Sequence, residues 1–374
     1  MSGYCQVDLI YSPSIAMSGF GEVAKQELPN VRYIVIPTFK PFGDKFGLIQ
    51  WGIARYLFRE RPDAVIISAL PRYLSFWTTL FWGRLLRIPI HAHGHGLYKK
   101  ERISAIYRVM TQAFLKMVSS YICYAPVVRQ SFIAHGFPDH KLTVAHNSLV
   151  NRFPVQPQQK TGQERGILFI GRLRPGSNVE LLLRVIDRLR RVDGLPLTLH
   201  VIGGGEQSQF LQRDTSGQPW IVFHSETYDQ ERIREISLNC FLGCYPGNAG
   251  LSVVHMISLS LPVITHDNLP GHQGPEPSFI RNGVSGLLYD HLNPEESLYQ
   301  AIRSLALDPL RLGRMQQAAF DDYQCLVNPS LAARFWSILG DGSEAIERDS
   351  TIARALIQKH SAESNPKNGS STYS

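Results

Sequence analysis

YPGNAGLSVVHMISLSLPVITHD, residues 245–267, reads as a loop, a helix and a strand, and the class of the whole chain turns on it. Pro246, Gly247 and Asn248 are turn formers at the end of the apolar run FLGCY (241–245), so they mark the exposed end of a buried parallel strand. From Gly250 onward, Leu251, Val254, Ile257 and Leu261 fall three and four apart. That spacing predicts a helix with one buried face, His255 near its start and Pro262 as its stop. Val263 and Ile264 then form a short strand that carries Thr265, His266 and Asp267 to its carboxyl end, where open α/β sheets bind ligands. A helix N-terminus beside a strand end offers N–H donors and a positive dipole, which suits the anionic part of a nucleotide or a sugar hydroxyl.

The same alternation extends in both directions. Apolar runs at 7–11, 33–36, 64–69, 88–91, 121–124 and 142–145 predict strands, and the three-and-four spacing predicts helices over 48–59, 73–86, 102–118 and 127–135. Residues 151–165, NRFPVQPQQKTGQER, are polar and carry two prolines, so they read as a linker. The pattern then restarts. Strands are predicted at 166–170, 197–202 and 220–224 and helices at 178–191, 208–212 and 230–237, leading into 241–267. GVSGLL (283–288), a helix over 295–305 and further helices to about 339 complete it. Alternating strand and helix implies parallel, doubly wound sheets. The expected organisation is a first Rossmann-like domain over 1–150, the linker 151–165, a second Rossmann-like domain over 166–340, and a terminal helix with a disordered polar tail over 341–374. A ligand would sit in the cleft between the two sets of strand ends.

Composition fits that size. With 374 residues, 44% of them hydrophobic and 18% charged, the chain buries two ordinary cores. Its five cysteines are scattered without zinc or redox spacing, and the amino terminus enters an apolar strand without a signal-peptide pattern, so a cytoplasmic location is expected. The net charge of +7 is uneven. Residues 1–160 hold 19 Lys and Arg against 8 Asp and Glu, net +11, which leaves −4 for the remainder. A basic half suits nucleic acid, an anionic bilayer or a phosphorylated substrate. No nucleic-acid-binding motif is present, so no nucleic-acid partner is expected. The most apolar stretch, 74–90, is interrupted by Arg84 and Arg87 and falls short of the ~20 residues of a membrane span.

In ILFIGRLRPGSNVELLL (167–183), a strand meets Gly171, Arg172 and Leu173 at its carboxyl end. An arginine there presents a planar fork of donors suited to a diphosphate, and Gly171 lets a ligand approach the backbone. The plainer alternative is a surface charge or a carboxylate pair. GRL at 171–173, LHVIGGGE at 199–206 and PVIT at 262–265, in that order and spacing, resemble the family 4 glycosyltransferases of the GT-B fold. Within that group HGHG, PGNAGLSVVH, LPVITHDN and GPE are most similar to bacterial enzymes of surface-polysaccharide assembly.

The resemblance implies a GT-B enzyme that moves a sugar from a nucleotide-sugar donor to a glycan or lipid-linked acceptor hydroxyl, with retention, without a metal and without a cofactor. It assigns the diphosphate to Arg172 and places Gly171, Gly203 and Gly204 beside the donor. Ser177 stands where the family usually carries a lysine, which leaves Arg174 as the second charge. Aligned on LPVI, Gly247 and His255 occupy the positions of two family glutamates eight residues apart, the first for the sugar and the second for the ribose. His255 can still bond a ribose hydroxyl through a ring nitrogen. Sugar recognition would then fall to backbone N–H groups of Asn248, Ala249, Gly250 and Leu251, with Glu276 restoring a carboxylate. Against that, a loop glutamate is more often merely solvated.

In the first half, His95 matches a family histidine beside the reacting sugar and is the catalytic candidate with Arg172. His91, His93 and His95 alternate, but no cysteine or carboxylate completes a metal set, so no metal is expected. Gly19 and Gly21 would let backbone amides reach the donor phosphate. Asn147 lies near the domain junction. The basic aromatic segment 72–87 suggests peripheral contact with an anionic membrane, with Phe76, Trp77, Leu80 and Phe81 entering the headgroups; the alternative is an ordinary helix whose apolar side is core. Two rival functions remain: a non-catalytic GT-B scaffold that binds sugar nucleotides, and a GT-B sugar-nucleotide epimerase.

Overall fold

The computed structural model describes residues 5–12, 29–39 and 49–340. Gly19, Gly21 and the segment 341–374 lie outside them.

The first half holds β1 (Val7–Tyr11), β2 (Val31–Val35), β3 (Thr38–Phe39), β4 (Ile49–Gln50), α1 (Ile53–Glu60), β5 (Val65–Ser68), α2 (Leu74–Leu86), β6 (Ile90–Gly94), α3 (Ala105–Met117), β7 (Ser120–Cys123), α4 (Pro126–Ala134) and β8 (Leu142–Val144). β5 to β8 form a parallel sheet in chain order, and β1 pairs with β2 in parallel. Among the described residues no ladder joins that pair to the four-stranded sheet, so the single sheet expected here is divided. Side chains make the link instead: Tyr56 of α1 donates to Asp8, and Arg32 reaches Glu60 at 2.9 Å. The helix expected from 48 starts only at Ile53. Ile49 and Gln50 pair antiparallel with β3, and Gly52, at φ +103°, turns the chain into α1.

The second half holds β9 (Gly166–Ile170), α5 (Val179–Val192), β10 (Thr198–Ile202), α6 (Ser208–Asp214), β11 (Ile221–His224), α7 (Gln230–Ser237), β12 (Cys240–Cys244), α8 (Ser252–Ile257), β13 (Val263–His266), β14 (Gly286–Tyr289), α9 (Pro294–Ala306), α10 (Pro309–Val327) and α11 (Leu331–Leu339). Its six strands are all parallel, in the order β11-β10-β9-β12-β13-β14. Chain order reverses between β9 and β12, the crevice where such sheets bind ligands.

The core follows from the spacing. β9 is buried along its whole length, and α5 lays Leu182, Val185, Ile186 and Leu189 on the sheet. Leu182 is fully buried, so truncating it to alanine costs about 2–5 kcal/mol. α8 is shorter than the periodicity suggested. It stops at Ile257, because Ser260 takes a left-handed φ of +53° and its hydroxyl turns to the Val155 carbonyl. Leu259 and Leu261 are buried nonetheless.

Residues 151–165 are docked rather than solvated. Val155 is fully buried, Asn151 bonds Tyr323 Oη and Ser258 Oγ at 2.8 and 2.9 Å, and Lys160 Nζ donates to the Cys240 carbonyl at 3.0 Å. These side chains satisfy backbone groups that a purely compositional reading leaves to water. α11 returns to the first half, with Ile338 against Ile122 and Ala145 and Phe335 against His93.

Candidate functional site

Gly171 to Arg174 follow β9 and Tyr245 to Gly250 follow β12, so the two segments meet at the switch point. Gly203, after β10, lies against this pair. At φ +148° its backbone abuts the Gly171 carbonyl, and a Cβ there would come within 2.9 Å of the Gly171 carbonyl carbon. Gly171 N–H donates to the Ile202 carbonyl at 3.0 Å and Leu173 N–H to that of Gly204 at 2.9 Å. The glycine loop therefore fits one backbone against another. Gly204 faces Glu226.

Arg172 is half-buried and makes no ion pair or side-chain hydrogen bond among the described residues; its charge reaches Tyr228 only through space. Arg174 is half-buried too. Its Nε is buried without a hydrogen-bond partner among the described residues, and its guanidinium lies by the Tyr245 hydroxyl. Two guanidiniums without carboxylate partners at one strand end form a site that anions satisfy.

The two departures at 177 and 247 prove to be one feature. Pro175–Ser177 form a 3-10 turn whose Ser177 is fully buried and donates its hydroxyl to the Arg174 carbonyl at 2.6 Å. That turn packs on Gly247. A Cβ at 247 would sit 2.6 Å from the Ser177 carbonyl carbon and 2.7 Å from its oxygen, with the Gly176 oxygen nearer still. The turn thus fills the space that a side chain at 247 would take.

The backbone donors expected after β12 are partly used. Asn248 N–H bonds the Gly176 carbonyl at 2.8 Å and Ala249 N–H bonds His272 Nδ1 at 3.1 Å. The N–H groups of Gly250 and Leu251 make no hydrogen bond among the described residues. With six residues α8 carries little macrodipole, so the expected helix-end contribution is small. His255 lies half-buried on it; burial pushes its pKa down to about 4 and its Nε2 has no hydrogen-bond partner among the described residues.

His272, which the sequence did not single out, is fully buried and stacks on His266 at 3.7 Å. Because Nδ1 accepts from Ala249, Nε2 must carry the proton that bonds the His266 carbonyl at 2.9 Å, and burial holds the pKa at about 4.

His95 follows β6 and is exposed, its ring 4.6 Å from that of Tyr124. Although the residue as a whole is exposed, the ring is partly desolvated against Tyr124, and that desolvation and then the Lys99 charge lower its pKa. β6 continues past His91, so His91 and His93 share a face, yet their surroundings differ: His91 Nδ1 meets Ser120 Oγ at 2.8 Å, and His93 packs between Tyr124 and Phe335 at 4.2 and 4.9 Å. Among the described residues the group with metal-ligand spacing is Asp267, Asp290 and His291, all exposed.

Glu276 is not a solvated loop residue. It is 2% exposed, Oε1 accepts from Asn147 Nδ2 of the first half, and Oε2 is buried without a hydrogen-bond partner among the described residues. Burial raises its pKa, while Asn147, the residue's own backbone N–H and Lys99 lower it. Lys99 bonds the His272 and Gln273 carbonyls from across the cleft, and the buried Tyr98 hydroxyl, also unpartnered, feels the Glu276 charge. Asn147 and Lys99 of the first half thus meet the loop that bears Glu276, His95 lies near Lys99, and the arginines stand at the β9 end. Tyr98 and Lys99 carry no motif of their own, and their role follows from the loop across the cleft.

The helix α2 is divided between core and surface. Phe76 and Leu80 are buried, which removes them from headgroup contact, and the half-buried Trp77 bonds the Pro71 carbonyl at 2.8 Å; Phe81 and Leu85 are exposed. No helix among the described residues is long and apolar enough to cross a membrane.

Comparison with known proteins gives a consistent picture. The family model described as Glycosyltransferase Family 4 matches residues 4–149, and that described as Glycosyl transferases group 1 matches 164–308. No curated protein matches. Among solved structures, HepE of Anabaena in complex with UDP-glucose is 16% identical, with a TM-score of 0.59 over 82% of this chain and 86% of HepE. TarM, from S. aureus, is 14% identical with a TM-score of 0.58 over 77% of this chain, which spans only 57% of TarM. The apo lipopolysaccharide outer core galactosyltransferase WaaB is 14% identical with a TM-score of 0.53, over 80% of this chain and 84% of WaaB. At such identities these likenesses establish the shared two-domain GT-B fold. With both of its halves matched by family models, the chain belongs to the GT-B glycosyltransferases of family 4, group 1.

Proposed function

We propose that the chain transfers a sugar, with retention, from a nucleotide-sugar to a hydroxyl of a glycan or lipid-linked acceptor in polysaccharide assembly. The donor lies on the second domain, 166–340, and the acceptor enters from the first, 1–150. One observation carries this: Arg172 and Arg174, neither paired with a carboxylate, stand at the carboxyl end of β9 at the switch point. As the bond from the anomeric carbon to the diphosphate breaks, its electron pair goes to the phosphate oxygen. Two fixed guanidiniums offset that charge and take the part a metal ion plays elsewhere. His95 borders the sugar, and His255 Nε2 meets the ribose. The UDP-glucose in the HepE complex supports a nucleotide-sugar donor.

Calorimetric titration of the full chain with UDP and GDP tests the reading. Binding that is lost in Arg172→Ala/Arg174→Ala supports it, and absence of binding to any nucleoside diphosphate overturns it. A non-catalytic scaffold is favoured only by the altered positions 177 and 247, and an epimerase by none; turnover that requires an acceptor separates the transferase from both.

The same reading places the protein at the inner face of a cell membrane. Phe81 and Leu85 of α2 and Ile106 and Val109 of α3 are exposed apolar side chains, flanked by Arg84, Arg87, Lys100 and Arg102.

A further inference from the structure

A carboxylate that is 2% exposed, tied by one oxygen and free at the other, is an expensive thing to build. Glu276 is in that state. Its Oε1 is occupied by Asn147 Nδ2, a donor supplied by the opposite half of the molecule. Oε2 has no hydrogen-bond partner among the described residues; it packs against Gly274, where a Cβ would collide with it, and lies 3.8 Å from where a Cβ on Gly250 would stand. Gly250 bears no side chain of its own, the Gln273 side chain comes within 3.6 Å of the same point, and the Gly250 N–H is unpaired among the described residues. An acceptor without a partner and an unpaired donor therefore belong to neighbouring residues, Glu276 and Gly250, a pattern that a sugar hydroxyl, both donor and acceptor, satisfies. Gly247, meanwhile, is closed off by the 175–177 turn and cannot serve.

We infer, resting on the donor reading above, that Glu276 is the specificity-determining residue for the donor's sugar: Oε2 accepts from a sugar hydroxyl while Asn147 holds the carboxylate from across the cleft. Sugar recognition and nucleotide recognition are then carried by different parts of the fold. The arginines after β9 bind the diphosphate with one half of the molecule, whereas the sugar contact is complete only when the first half delivers Asn147. Lys99, bonded to the His272 and Gln273 carbonyls, keeps the loop that bears Glu276 in place.

The test compares the affinity of the full chain for UDP and GDP with that for their glucose, galactose, N-acetylglucosamine, mannose and fucose conjugates, in wild type, Glu276→Gln and Asn147→Ala. Glutamine keeps the volume and, with its amide oxygen toward Asn147, replaces the free acceptor by a donor. The expected result is one conjugate that wild type binds more tightly than the bare diphosphate. Glu276→Gln should lose roughly ten- to hundredfold of that gain, the range for a hydrogen bond to a charged group, with diphosphate affinity and Tm unchanged. Asn147→Ala should lose part of it. A gain that survives Glu276→Gln, or no gain for any conjugate in wild type, overturns the assignment of Glu276 and leaves the donor reading standing. A gain that survives Asn147→Ala overturns the clamp across the cleft. Failure of every diphosphate to bind wild type overturns the donor reading, and this inference with it.

Discussion

Restoring the family's glutamate at position 247 should damage this protein. Gly247→Glu places a Cβ 2.6 Å from the Ser177 carbonyl carbon and 2.7 Å from its oxygen, both backbone atoms of a tight turn that has no slack to give. Overpacking of this kind costs about 1–3 kcal/mol. Displacing the turn also breaks the 2.8 Å bond from Asn248 N–H to the Gly176 carbonyl, about 1 kcal/mol more. A loss of roughly 2–4 kcal/mol lowers Tm by roughly 5–15 °C for a domain of this size. Thermal melts of the full chain followed by circular dichroism measure it, and calorimetry with UDP reports the site. Gly247→Ala, which adds the Cβ alone, should show most of the loss. A Gly247→Glu protein that melts within about 2 °C of wild type, or that binds a sugar nucleotide more tightly, would refute the idea that the turn has taken over the space of that side chain.

Other outcomes follow from the same geometry. Arg172→Ala and Arg174→Ala should each weaken diphosphate binding roughly tenfold or more, and equal affinity in the double variant and wild type would remove them from the site. His93, His255 and His272 are held at about 4 by burial. Between that value and ~6.5 the unfolded chain binds protons that the folded one refuses, so their contribution is full above about pH 6.5 and is lost as pH falls toward 4. Tm measured across that window should drop, less steeply in His255→Asn, and a flat profile would contradict the buried neutral assignment. Phe81→Ser/Leu85→Ser should abolish sedimentation with anionic vesicles at low salt without changing Tm, because both side chains are exposed. Phe76→Ser, by contrast, should unfold the first half at a cost of about 3 kcal/mol or more, and vesicle binding untouched by the double variant would rule out this face.

Period and punctuation made most of the fold legible. β1, β9 and α7 lie where the pattern predicted them to the residue, because an apolar run bounded by turn formers has few alternatives. The misreadings have local causes. Helix 48–59 was too long because Gly52 breaks it, and the helix after Gly250 because a serine at positive φ does. For 151–165, composition alone gave no sign of docking on Tyr323 and Ser258. At the site, Arg172 was legible because its place after a strand carries the meaning. The burial of Glu276 was not, since it depends on Asn147, 129 positions away in the chain. Nor was the match between Ser177 and Gly247, which is a matter of volume and leaves no periodic trace.

The return of α11 bears on how the molecule can move. The polypeptide passes from the first half to the second near residues 151–165 and goes back at α11, where Ile338 rests on Ile122 and Ala145. Two bodies joined by one strand swivel in any direction, whereas two bodies joined at two separated points retain a single easy rotation, about the line through both. A door on two pins swings along one arc and always returns its latch to the same keeper. In this protein the side chains that such an arc would have to bring together, Asn147 and Glu276, are in contact in the structure.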